Sequence, residues 1–215
     1  MKRVFLTVVF AVVAAVCAQA QLYLGGTLGV DFDASSRTAG STTTKQPAYF
    51  TFHINPLVGY TLTDEISAGL RFAFDVRIEN NRADTPVKTY TYSWGVTPLV
   101  RNTVLNVDKF SLLLESSVFV SGSKIKQSTG ATVTDGGKLI GFGFFAVPVF
   151  QYKLTDKLNL EARSSILCLG YLITTTKDNP NADSPKTTKS TFGFGVNSGS
   201  QNLNLPLEIG MVYKF

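Results

Sequence analysis

The fold class this sequence predicts is all-β: an eight-stranded antiparallel up-and-down transmembrane β-barrel. Three observations predict it. Apolar and polar residues alternate along segments long enough to cross a bilayer when tilted, short and long connections take turns, and the chain stops on Phe215 inside an alternating segment.

The first 20 residues stand apart. Lys2 and Arg3 form a basic start, Val4 to Val16 is an apolar run, and Ala18-Gln19-Ala20 is a small-residue cleavage site. A cleavable signal peptide over 1–20 is expected, cut between Ala20 and Gln21. The rival, a lipoprotein signal at Cys17, meets Val16 where a small residue belongs. The run is also too short to span a bilayer as a helix. Residues 21–215 then form one domain. Loss of Lys2 and Arg3 takes the formal charge from +5 to +3, which gives no case for a nucleic-acid partner. Cys168 is left alone, so no intrachain disulfide is possible.

Alternation is cleanest from Glu65 to Glu79. Ile66, Ala68, Leu70, Phe72, Phe74, Val76 and Ile78 share one face, and Arg71, Asp75, Arg77 and Glu79 fall on the other. The closing segment repeats it, with Leu203, Leu205, Leu207, Ile209, Met211, Tyr213 and Phe215 on one side. Segments starting near Leu22, Phe50, Tyr90, Phe110, Ile140 and Leu158 make eight strands. Apolar residues on both faces (Leu113, Phe119, Phe145, Val147, Val149) blur two of them. Ser190–Asn197 looks like strand but is interrupted at Ser198–Asn202, either as an extension of strand eight or as a bulge; ten strands is the alternative.

Tight turns are expected at Thr63-Asp64, Val107-Asp108 and Thr155-Asp156, through the Asp residues that turns favour. Longer polar loops are expected at 34–47, 79–88, 124–138 and 174–189. Four long loops on one side and three short turns on the other is the outer-membrane arrangement, loops outside and turns periplasmic. Pro56, Pro98, Pro148 and Pro206 recur eight to ten residues before a turn or the terminus, and a ring of bulges is expected there.

The mid-strand charges decide which face is outside. Arg71, Asp75, Arg77, Arg101, Glu115, Glu161, Arg163 and Glu208 form a neutral set on the polar face. A soluble lipocalin-like barrel would show them to water; a membrane barrel turns them inward, where they must pair. Hairpin arithmetic sets Arg101 opposite Glu115, and Arg163 near Glu208. Aromatics gather at strand ends as girdles: Tyr60, Phe110, Tyr152, Tyr213 and Phe215 at one, Phe32, Tyr49, Phe74, Tyr90 and Tyr171 at the other.

The terminal "GMVYKF" and the hairpins "PLVGYTLTDEISAGLRF" and "YKLTDKLNLEA" resemble the small outer-membrane β-barrel family of Gram-negative bacteria, the group of OmpX and the OmpA transmembrane domain. The resemblance spans nearly the whole mature chain. It implies an outer-membrane location among lipids and lipopolysaccharide. It also implies assembly through Tyr213 and Phe215, read by the barrel-assembly machinery.

Chemistry is sparse. His53 is the only histidine, placed inward within reach of Asp31 and Asp75, and is read as a hydrogen-bonded interior residue. The sharper alternative is a lipid-A-modifying or proteolytic barrel enzyme using it. One histidine and one cysteine make no zinc cluster, and the glycine runs precede no helix, so no cofactor is expected. Ten Lys or Arg in the long loops, Lys124, Lys138, Lys177 and Lys186 among them, read as solvated or as attracted to anionic surfaces. The expected role is structural or surface-interacting, as a monomer meeting an unknown extracellular ligand. A narrow channel, suggested by the charged interior, is the alternative; eight strands leave an interior that side chains fill, so a wide porin is not expected.

Overall fold

The structure, a computed structural model, describes residues 21–39, 42–82, 87–129, 132–164, 169–177, 186–194 and 207–215. The signal segment, Cys168, Pro206 and the Ser198–Asn202 interruption lie outside the described residues. Ten strands follow in order: β1 (Gln21–Ala39), β2 (Thr42–Thr61), β3 (Ile66–Asn80), β4 (Val87–Val107), β5 (Phe110–Thr129), β6 (Thr132–Lys153), β7 (Leu158–Ser164), β8 (Leu169–Lys177), β9 (Lys186–Phe194) and β10 (Leu207–Lys214).

These ten fill eight positions in a closed antiparallel barrel. One edge of β6 pairs with β7 over Val149–Lys153 and with β8 over Lys138–Ala146, so β7 and β8 succeed each other along one barrel strand. β10 pairs with β7 and β9 with β8, which makes them successive parts of the eighth. Pairing of β5 with β6, and of β1 with β10 from Tyr23–Lys214 to Thr27–Gly210, closes the ring. Beyond Thr27, β1 pairs only with β2 among the described residues.

Side-chain distribution is inside out. Among the described residues, 34 large apolar side chains are exposed, while eight apolar and eight polar or charged residues are buried. A water-soluble surface does not carry contiguous apolar area on that scale. Glu115 is 0 % and Arg101 3 % exposed, whereas Phe74 and Trp94 are each 49 % exposed. The apolar residues that blurred the alternation have a place. Leu113, Val147 and Val149 are buried inside, filling a lumen too narrow to be left empty. Tyr49 departs from the girdle expectation: its ring lies in the lumen under the Arg77 guanidinium, 4.2 Å away.

Gln21, Phe215 and the short turns share one end, called here the terminal end; the other is the hairpin end. The turns at Leu62–Ile66 and Leu154–Leu158 are copies of one design. In each, a threonine hydroxyl, of Thr63 or Thr155, accepts the backbone N–H three residues on at 3.0 Å. The N–H groups of Leu62 and Thr63, and of Leu154 and Thr155, donate to the carbonyl of the residue starting the next strand. Beside the second turn, Lys153 reaches the exposed Asp156 at 2.8 Å and, through that hydrogen bond, holds its carboxyl below the usual range. The remaining turn places Asp108 at φ 51°, a left-handed conformation that Asp tolerates.

Two expectations are corrected. Of the four polar stretches read as long loops, two include residues 83–86 and 178–185, which lie outside the described residues. The other two, 34–47 and 124–138, are largely strand: β1 and β2 run to Ala39 and from Thr42, and β5 and β6 to Thr129 and from Thr132. Their threonines are β-branched and suit an extended backbone wherever a hairpin partner is available. Pro56, Pro98 and Pro148 make no bulges. Register passes Pro56, Pro98 and Pro148 unshifted, and shifts instead at Ala34/Ser36, Thr103/Leu105 and Lys124/Lys126. At Pro56 and Pro98 the ladder to one neighbour skips two residue pairs and resumes in the same register, as a missing N–H donor requires.

Candidate functional site

Inside the terminal half, charged side chains from β3, β4, β5, β7 and β10 converge across the lumen. Register places the first pair, since Arg101 on β4 faces Glu115 on β5. Arg101 Nε donates to Glu115 Oε2 at 3.0 Å. Arg71, on β3, forks onto the same carboxylate, with Nη1 to Oε1 and Nη2 to Oε2 both at 2.7 Å. Arg163 Nε adds a bond to Oε1 at 3.2 Å. Three guanidinium groups thus surround one fully buried carboxylate.

The outer members balance that excess. Arg101 turns its remaining fork to Glu161, Nη1 to Oε1 at 2.9 Å and Nη2 to Oε2 at 3.0 Å. Gln151 Nε2 also donates to Glu161 Oε1, at 2.9 Å. Glu208 faces Arg163 in register and lies 3.5 Å from its Nη1. Three arginines and three glutamates sum to zero charge, and the fork geometry satisfies most donors. Burying ions costs several kcal/mol each, so a network of this kind persists only when it is paired and hydrogen-bonded throughout.

Asp75 and Arg77 stand apart from this network. Asp75 faces His53 in register, and His53 Nδ1 lies 3.8 Å from Asp31 Oδ2, too far for a hydrogen bond. Arg77 meets Glu79 at 3.4 Å, and its Nε is buried with no partner among the described residues. His53 fits because its register partner is Gly29, whose missing Cβ would fall inside the imidazole. Among the described residues no three His, Cys, Asp or Glu side chains could hold a metal ion. Sequence reasoning missed Gln151, an uncharged member of the charge network. It also missed Tyr23, which is buried with its ring 5.9 Å from the Arg101 guanidinium.

At the seam, Tyr213 and Phe215 meet edge to face at 5.1 Å on the outer surface, and the Phe215 N–H donates to the Leu22 carbonyl at 3.0 Å. The last residue therefore belongs to the closure of the barrel. Seen whole, the site is a neutral ionic crosspiece tying non-adjacent strands together through the lumen.

No protein-family model matches this chain, and no curated protein does. Solved structures do. A major outer membrane protein from Thermus thermophilus aligns over 92 % of this chain and 100 % of its own, at 11 % identity and a TM-score of 0.51. Ail, the attachment invasion locus protein of Yersinia pestis, aligns over 91 % and 97 % at 13 % identity and a TM-score of 0.44. Neisserial surface protein A aligns over 91 % and 96 % at 18 % identity and a TM-score of 0.34. The first of these shows the fold that the two chains share.

Proposed function

We propose that this chain, which has the fold of the small outer-membrane barrels, resides in the outer membrane of a Gram-negative bacterium. There it acts through its surface, as a structural or contact-making protein of the envelope. The observation that carries this reading is the inverted side-chain distribution, with apolar residues outside and the ionic crosspiece within. Exposed apolar bands need lipid around them, and a lumen crossed by paired charges is a poor path for solutes. What remains for function is the outer wall and the extended hairpins. Tyr213 and Phe215, at the closing seam, are proposed as the signal read during barrel assembly.

A narrow channel is the second reading, favoured by the polar lumen above the crosspiece. One experiment tests both. Heat-modifiability of the protein in outer-membrane extracts should show a compact species in cold detergent that shifts on boiling. The same folded species in planar bilayers should give no steady conductance. A protein soluble in the periplasm, with no shift, would sink the membrane reading; stable open-channel current would replace the structural role with transport. The enzyme reading has less support, because Asp31, the carboxylate facing His53 Nδ1, stands 3.8 Å away, beyond hydrogen-bond distance.

A further inference from the structure

The barrel's outer wall carries a feature that its register makes visible. Ile54, Phe74, Trp94, Gly122 and Ile140 are partners in one continuous row across β2 to β6. The next row toward the hairpin end runs Phe52, Val76, Tyr92, Lys124 and Lys138, and continues through Lys177 on β8 to Lys186 on β9. All these positions share the outward parity. Between the rows lies a groove of about 620 Å³. Its floor is Gly122, where Trp94 lies across the backbone so closely that a Cβ would stand 2.8 Å from the indole. The groove's lining is mostly apolar, with Asp75, Ser93 and Ser123 also on it, and Lys124 and Lys138 close it on the hairpin side.

Four lysines on adjacent strands, spaced about 4.8 Å apart, span roughly 14 Å. In this row only Lys124 has a described acidic neighbour, Asp135 at 3.3 Å. The acids of the hairpin half that sit on β1 and β3, Asp31, Asp33, Asp75 and Glu79, have inward parity, so the wall is basic where the lumen is acidic. An apolar trough ending in a line of cations is complementary to one class of molecule: chains of hydrocarbon attached to a phosphorylated head group.

We infer that this wall binds a phosphorylated, acylated lipid of the surrounding leaflet, its acyl chains across Gly122 beside Trp94 and its phosphates on the row Lys124, Lys138, Lys177 and Lys186. The inference rests on the membrane reading above and deepens it by naming a lipid class and a place. Binding there orients the hairpin end toward the leaflet that supplies the lipid.

Trp94 is the chain's only tryptophan, so its fluorescence reports on the groove alone. The folded protein is reconstituted in phosphatidylcholine vesicles containing either chain-brominated phosphatidic acid or chain-brominated phosphatidylcholine, and bromine quenching of Trp94 is titrated. Each lysine near an anionic head group contributes about fivefold, and Asp135 cancels about one of the four, so a preference of about a hundredfold for the phosphatidic acid is expected. Substituting Lys124→Gln, Lys138→Gln, Lys177→Gln and Lys186→Gln together should bring the two lipids within about twofold, with Lys124→Gln and Lys138→Gln alone in between. Excess inorganic phosphate should leave the preference in place. Equal quenching by both lipids, a preference untouched by the four substitutions, or its abolition by free phosphate overturns the site. Failure of the protein to show the heat shift in these vesicles, with no quenching by either lipid, overturns the membrane reading instead.

Discussion

The two halves of the barrel solve the problem of a narrow lumen differently. In the terminal half every strand position has both neighbours, and residues in and beside the turns extend the ladders: Thr103 N–H to Glu65 O, Lys153 N–H to Lys109 O and Lys214 N–H to Lys157 O, at 2.7 to 2.8 Å. The lumen there is packed with Tyr23, Leu57, Leu99 and Val212 and crossed by the ionic network. In the hairpin half, β1 and β9 show no mutual pairing among the described residues, and the interior contacts are looser. His53 and Asp31 are 3.8 Å apart and Arg77 Nε has no described partner. Pairing and packing are concentrated at the terminal end, and the half that offers an acidic lumen and a basic wall is held by fewer described contacts. Sites that contact other molecules draw on such less constrained regions.

The largest test of that contrast removes the hub. Glu115→Ala strips the shared acceptor from Arg71, Arg101 and Arg163, leaving buried cations without their counterion. Breaking a buried pair in this way costs about 3–5 kcal/mol. Asp75→Asn in the hairpin half should cost no more than about 1 kcal/mol, since its charge lies outside the network. Urea midpoints of the folded, gel-shifting species in detergent micelles compare the two. Equal losses would end the distinction between halves.

A smaller effect probes the hairpin half from within. Gly29→Val places a side chain where the His53 imidazole lies, and overpacking of this kind costs about 1–3 kcal/mol. Adding His53→Ala should recover most of that loss if the clash is its cause. A double variant no better than Gly29→Val would mean that the glycine serves the backbone of β1 rather than the histidine.

How much of this was legible in the sequence follows from what alternation can encode. Parity put the charges inside and the apolar stripe outside, because a period of two is a local property of each strand. Counting back from the turn also placed Arg101 against Glu115, a pair 14 residues apart in one hairpin. Arg71 reaching the same carboxylate from 44 residues away was hidden, since contacts across a lumen depend on how far the barrel is sheared. Gln151 was hidden for another reason: an uncharged side chain announces no partner. The polar threonine-rich stretches 34–47 and 124–138 were misread as loops because a hairpin partner supports an extended backbone even where no apolar stripe marks it. Pro56 and Pro98 were misread too, their cost being two skipped pairs rather than an inserted residue.

The smallest prediction concerns the turns, where the sequence signal was attached to the wrong residue. In Leu62-Thr63-Asp64-Glu65-Ile66 the expectation rested on Asp64, yet the bonds run to the Thr63 hydroxyl, from Ile66 N–H at 3.0 Å and Glu65 N–H at 3.3 Å. Thr155 repeats both distances with Leu158 and Lys157. Valine keeps the shape of threonine and removes only the acceptor, so Thr63→Val should cost about 0.5–1.5 kcal/mol, and Thr155→Val the same, each without altering the folded gel mobility. The two sites share no partners, so their effects should add within about 0.5 kcal/mol. Asp64→Ala should leave the midpoint unchanged. If Asp64 proves the costlier loss, the turn is held by its aspartate after all, and the terminal end owes its order to the strands it joins rather than to the threonine hydroxyl.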